Sequence, residues 1–228
     1  MLAIPVKTFI YRTMQKSRQS PNPVDKGPIR GRGRPRAFDR EAALTQATHL
    51  FWLKGYEATS ISDLTDAMGI GSPSLYAAFG SKEALYTEAL RHYNDRYEAL
   101  VWGRFRSAGT AREAIMSYLM DSAAALTGSL ADNPLGCMVT LSSVGGEGRS
   151  ELGELVRAAR AVTLEHLEEC LGRAVSEGEL PGRTDVHALG RFFQTVQSGM
   201  SILARDGASR SELEAVARVA MLRWAVAE

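Results

Sequence analysis

Two cysteines in 228 residues, Cys137 and Cys170, are too few for the disulfide framework of a small secreted domain. No apolar run approaches the ~18 residues of a membrane span, and the opening MLAIPVKTFIY is interrupted by Lys7 too early for a signal peptide. The expectation is a cytoplasmic protein with no membrane contact. Catalytic signatures are missing as well. Gly145-Gly146-Glu147-Gly148 follows no strand and so forms no phosphate loop, and there is no G-x-S-x-G elbow, no H-E-x-x-H and no C-x-x-C. The histidines, His49, His92, His166 and His187, are scattered. An enzyme, a resident metal and a cofactor are therefore not expected. Nothing reads as a strand, and there is no internal repeat.

What the chain does have is helix-forming pattern and a 45% hydrophobic content, enough to bury a substantial core. Its net charge of +1 hides an asymmetry. Residues 1–40 hold ten Lys/Arg against two Asp, whereas the remaining residues hold 17 basic against 24 acidic. A polycationic front and an acidic body confine any nucleic-acid contact to the front of the molecule. Within that front, Ser17–Arg36 is rich in Pro, Gly and Arg without apolar period, so residues 1–37 read as a disordered basic tail. Its arginines, Arg34 and Arg36 among them, can reach a narrow minor groove; a merely solvated basic leader is the plainer alternative.

The densest signals lie in TSISDLTDAMGIGSPSLYAAFGSKE, residues 59–83. Ser60 and Asp63 form an [ST]-x-x-[DE] capping box, and Ile61, Leu64 and Met68 recur at helical spacing, which predicts a helix over Ile61–Met68. Gly69 supplies a left-handed stop, Ile70 anchors the turn, and Ser72-Pro73 restarts the chain as N-cap and first helical residue. Leu75 and Phe79, four apart, face inward. That leaves Ser72, Pro73, Ser74, Tyr76, Ala77 and Ala78 as a small exposed face able to enter a major groove. Two short helices joined by such a turn make a helix-turn-helix, although compact helical domains also contain such pieces.

Asp39 reads as N-cap of a preceding helix that buries Leu44, Ala47, Leu50 and Phe51 and ends at Lys54-Gly55. Ser81 caps a long helix running to Phe105. Thr110-x-x-Glu113 opens another to about Leu126, Asp132-Asn133-Pro134 one to about Val144, and Ser150 one to about Glu177. Gly145–Gly148 reads as a break. Thr184–Arg205 and a helix capped by Ser209-x-x-Glu212 complete an all-α fold of about nine helices.

The segment Thr59, Leu64, Gly69, Ile70, Leu75, Tyr76, Phe79, Lys82, Glu83 and Leu85, with Ala43, Ala47, Leu50, Phe51, Gly55 and Tyr56 before it, resembles the TetR/AcrR family of bacterial transcriptional regulators. The resemblance covers residues 38–86; Thr65 departs from it, standing where the family usually has alanine. It implies a three-helix helix-turn-helix domain over residues 38–84 and a helical effector-binding and dimerisation domain over 85–228. The expected function is a repressor released from a palindromic operator on double-stranded DNA by a small molecule. The residues expected to contact DNA are Arg34, Arg36, Thr59, Ser60, Ser72, Pro73, Ser74, Tyr76, Ala77 and Lys82. An architectural DNA binder with no effector is the alternative of a different class.

By the same resemblance, an unknown small-molecule effector would lie among Trp102, Phe105, Tyr118, Cys137, Met138, Leu141, His166 and Phe192, residues that equally suit a plain core. Cys137, near a helix start, is a candidate thiol sensor as well as a small buried hydrophobe. His166 and Cys170, four apart on one helix face, are a possible soft-metal pair that would need Cys137 as a third ligand, which makes a metal-sensing repressor a further alternative; two ligands alone do not make a site, and no metal is expected. A homodimer is implied through Leu189, Phe192, Phe193, Val196, Met200, Leu213, Val216, Ala220 and Trp224. A stripe of this kind serves an intramolecular helix pair just as well.

Overall fold

The computed structural model describes residues 38–130, 133–142, 150–222 and 224. The basic tail with Arg34 and Arg36, the Gly145–Gly148 break and the start of the helix expected at Asp132 lie outside these residues. Among the described residues there are nine α-helices and no strand, and from Phe38 onward they belong to one body. No helix among them is long and apolar enough to cross a membrane.

Helix α1, Arg40–Ala58, starts where Asp39 accepts from the backbone N–H groups of Glu41 and Ala42. Its regular part ends at Gly55, whose φ of 78° and ψ of 167° only glycine adopts without strain. Helix α2, Ile61–Met68, carries the expected capping box in full: Ser60 Oγ accepts from Asp63 N, and Asp63 accepts from Ser60 N at 2.9 Å. Gly69 closes α2 in the left-handed region. Helix α3, Ser72–Phe79, begins one residue earlier than the Ser-Pro pair suggests: Gly71 is the N-cap, and its carbonyl receives the N–H groups of Ser74 and Leu75. Leu64, Leu75 and Phe79 are buried against α1 residues Phe51 and Tyr56 and α4 residues Leu85 and Tyr86.

Helix α4, Lys82–Ser107, is 26 residues long and so spans about 39 Å at 1.5 Å per residue. It packs on α1 at one end and on α5, Ala111–Leu126, at the other, where Arg104 forks onto the buried carboxylate of Asp121. Helices α7 (Ser150–Ser176), α8 (Val186–Arg205) and α9 (Arg210–Ala220) complete the body, with α8 between α7 and α9. Gly190 lets α8 lie close against α7: a Cβ there would come within 3.3 Å of both Leu164 and Glu168.

Two expected elements look different once the chain is folded. The helix expected to reach Val144 is reduced to α6, Met138–Leu141. Tertiary bonds replace its ladder: Gly136 N donates to Leu126 O at 2.8 Å, Cys137 N to Ser201 Oγ at 2.8 Å, and Trp52 Nε1 to Gly136 O at 3.0 Å. The stripe on the last two helices is the second. Phe193, Met200, Leu213, Ala220 and Trp224 are buried in this chain's own core, Leu189, Phe192 and Val196 are half-buried, and of the residues expected at a dimer surface only Val216 is exposed. Amphipathic period fixes which face is buried and not which molecule buries it.

Candidate nucleic-acid interface and effector cavity

The exposed face of α3 is as small as its sequence implies. Ser72, Pro73, Ser74, Tyr76 and Ala77 are all exposed, while Ala78 is half-buried. Tyr76 is 47% accessible, an aromatic side chain left outside a core that buries Tyr56 and Tyr86 on the adjacent helices. The rod bearing this face is fixed at its C-terminal end. Behind it, the Arg40 guanidinium lies 4.4 Å from the Phe79 ring centroid, donates to Ala78 O at 3.3 Å and forks onto Glu88 at 2.7 and 2.8 Å. At the start of α4, Lys82 Nζ stands 4.3 Å over the Tyr56 ring, and Tyr56 donates to Glu83 Oε1 at 2.7 Å. These contacts make α1, α3 and the first turn of α4 one rigid unit.

Two residues expected at DNA are otherwise engaged. Thr59 is buried, and its hydroxyl donates to Gly55 O at 2.6 Å across the kink of α1. Ser60 is exposed, but its hydroxyl is held by Asp63 at 2.8 Å and accepts Asp63 N in return. Hydrogen bonds from Lys54 first, then from Ser60, hold the Asp63 carboxyl well below the usual carboxylate range.

A cavity of about 600 Å³ lies in the helical body. One wall, from α4 and α5, is aromatic: Tyr93, Tyr97, Trp102 and Tyr118, with Val101. Trp102 stacks on Tyr118 at 4.9 Å and meets the His166 ring edge-on at 4.8 Å. The other wall, from α7 and α8, is polar: Arg160, Thr163 and His166 face Arg191, Gln194 and Ser198. Cys137 lies between them; its sulfur accepts from Tyr93 Oη at 3.1 Å and from Thr140 N at 3.4 Å. Burial, and after it the nearby Cys137 sulfur, pushes the phenols of Tyr93, Tyr97 and Tyr118 well above the usual tyrosine range. Tyr118 Oη and His166 Nδ1 are buried without a hydrogen-bond partner.

Of the residues expected at an effector, the structure brings Trp102, Tyr118, Cys137 and His166 together around this cavity. Phe105, Met138, Leu141 and Phe192 are not in its lining: Phe105 and Met138 are core, Leu141 packs toward Gly136, and Phe192 lies against Phe193. Sequence reasoning missed Tyr93, Tyr97, Arg160, Arg191 and Gln194. A partial signal existed: Arg160, Thr163 and His166 on α7, and Arg191, Gln194 and Ser198 on α8, recur at spacings of three and four and so share a face of each helix, though nothing in either spacing says that the two faces meet. Cys170 is buried against the core, and among the described residues no three His, Cys, Asp or Glu side chains converge as a metal site would require.

The head and the cavity are joined at a second place besides α4. Gly136, next to Cys137, accepts from Trp52 of α1, and Arg205 of α8 donates to Trp52 O, Leu53 O and Leu135 O at 2.9, 3.1 and 2.9 Å. The loop carrying the cavity cysteine is thus pinned directly to α1.

Comparison with known proteins decides the lineage. Residues 43–89 match the profile of the bacterial regulatory proteins of the tetR family. The HTH-type transcriptional repressor ComR of Escherichia coli K12 is 36% identical over 201 residues, covering 86% of this chain and 93% of that protein. The chain belongs to the TetR family. A second repressor of that bacterium, BdcR, is 32% identical over 199 residues, covering 86% of this chain and 94% of BdcR. Among solved structures, a cysteine-substituted form of the TetR family regulator CifR, complexed with double-strand operator DNA, superposes with a TM-score of 0.78 at 39% identity. That match covers 84% of this chain and 100% of CifR. The protein is accordingly a DNA-binding transcriptional regulator of the TetR type, with α2 and α3 as its helix-turn-helix.

Proposed function

We propose that this TetR-family protein is a homodimeric repressor that leaves a palindromic operator when a small molecule occupies the cavity between α4, α5, α7 and α8. Residues 38–84 read DNA, residues 85–228 hold effector and partner, and residues 1–37 add a basic arm. In each subunit Ser72, Pro73, Ser74, Tyr76 and Ala77 enter the major groove, with Lys82 on the phosphate backbone. The observation that carries the reading is the pairing of that exposed α3 face with a body cavity pinned to the same head through α4 and through Trp52–Gly136. An architectural DNA binder has no use for such a cavity.

Two heads on one palindrome require a two-fold axis. The exposed apolar residues of the last helices, Ile202, Leu203, Val216, Val219 and Leu222, supply its surface. Release follows if the effector prefers the conformation in which the heads no longer match the operator; tight binding without that preference shifts nothing. Selecting bound duplexes from a random pool and then screening metabolites for release by fluorescence anisotropy tests the reading. A monomeric protein with no preferred duplex would refute it.

A thiol-sensing repressor is the second reading, favoured by the Cys137 sulfur standing in the cavity wall within hydrogen-bond reach of Tyr93. An electrophile adding there would strain the loop that holds α1. If Cys137→Ser protein still releases its operator fully on treatment with N-ethylmaleimide, the thiol plays no part.

A further inference from the structure

Resting on the effector reading just given, we infer that the cavity takes a small organic anion, a carboxylate on a flat apolar body, with the carboxylate toward α7 and α8 and the body against α4 and α5. The first observation is a charge imbalance. The lining includes Arg160 and Arg191 and no Asp or Glu, in a chain whose residues after the first 40 hold more acids than bases. Random composition would place carboxylates beside these arginines. Instead, among the described residues neither has a carboxylate partner.

Among the described residues Arg160 reaches main-chain oxygens alone, Val139 O and Thr140 O at 3.1 Å and Ser142 O at 2.5 Å. Arg191 donates to the neutral side chain of Gln194 at 3.0 Å, and Gln194 in turn donates to Arg160 O at 2.8 Å. Two guanidinium charges are thereby held on one wall by groups that orient them without cancelling them. A guanidinium on a neutral scaffold attracts an anion, and its planar fork suits a carboxylate. The same wall also offers His166, whose buried Nδ1 has no partner.

The opposite wall explains the rest of the ligand. Trp102 and Tyr118 are stacked with planes 25° apart, and Tyr93 and Tyr97 are stacked at 4.7 Å, which gives flat apolar surfaces and no charge. A cavity of about 600 Å³ falls within the range that encloses a small organic ligand. A cation would meet two arginines and no acid, and an apolar ligand would leave the polar wall without a partner.

The experiment uses the full chain and reads Trp102 fluorescence during titration with benzoate, cinnamate and 2-naphthoate, each against its carboxamide, and with benzylammonium. Trp102→Phe protein serves to assign the signal. At least one carboxylate should bind about tenfold tighter than its amide, and benzylammonium should not bind. Arg191→Gln, at an exposed position, should remove most of that preference by weakening the acids far more than the amides, while Arg160→Lys keeps the charge and should retain part of it. Amides binding as well as acids, benzylammonium binding as tightly, no probe binding at all, or Arg191→Gln keeping the full preference would each overturn the inference. Operator binding by the same preparation is scored separately, so a protein that binds its operator and none of these acids loses this inference alone.

Discussion

Gly136→Ala tests whether the loop before Cys137 is as tightly determined as its bonds indicate. Gly136 has a φ of 78°, where an L-residue with a Cβ is strained by about 1–2 kcal/mol. The new methyl would also stand 2.6 Å from Leu141 Cδ1 and 2.8 Å from Ser201 O. Leu141 can turn aside, but Ser201 O is helix backbone near the end of α8, so the loop itself must move, an overpacking cost of about 1–3 kcal/mol. Movement loosens Trp52 Nε1 to Gly136 O and Cys137 N to Ser201 Oγ, each worth about 0.5–1.5 kcal/mol. The expected loss is about 3–8 kcal/mol. Gly69→Ala is the internal control: its φ is 65° with nothing within 4 Å of an added Cβ, so strain alone of about 1–2 kcal/mol applies. Urea denaturation followed by circular dichroism measures both, and melting temperatures should fall about 2–4 °C per kcal/mol. Equal destabilisation of the two variants would show that the loop yields freely and that the Trp52–Gly136 link constrains nothing.

Other expectations follow from the same geometry. Lys82→Ala should weaken binding on every duplex alike and flatten the salt dependence by about one ion, while substitutions at Ser74 or Ala77 should change which sequence is preferred; binding selections at two salt concentrations separate these outcomes. Arg40→Ala removes the Glu88 fork and the Phe79 contact together, and should lower operator affinity with a modest loss of stability, read by anisotropy and thermal melting. The Asp63 carboxyl is held below its ordinary value by the Lys54 hydrogen bond and then by those of its capping box, and the Glu212 carboxyl by the hydrogen bonds from Ser209. Their stabilisation is therefore complete above about pH 4, the unfolded carboxylate value, and is lost as pH falls through the folded one. Ser60→Ala should move the Asp63 titration upward in an NMR pH series. The phenols of Tyr93, Tyr97 and Tyr118 are raised, so their sign is opposite: stability is intact below about pH 10 and declines as pH rises beyond it. Tyrosinate absorbance near 295 nm should accordingly appear in step with unfolding.

Local order determined the head of this protein from sequence alone. The Ser60–Asp63 box, the Gly69 stop and the Leu75–Phe79 pair lie within 25 residues, and each is a short-range device whose geometry depends on neighbours along the chain. The caps Asp39, Ser81, Thr110 and Ser209 are of the same kind, and each stands in the structure as its sequence signals it. What tertiary structure alone decided is which partners distant residues find. Gly136 and Cys137 bond to Trp52, Leu126 and Ser201 rather than to a helix of their own, so α6 shrank to four residues. The stripes of α8 and α9 turned into this chain's core and left a different set of apolar residues outside. The cavity needed four helices to converge before Tyr93, Arg160 and Arg191 could share one space, and no spacing along a single helix encodes that meeting.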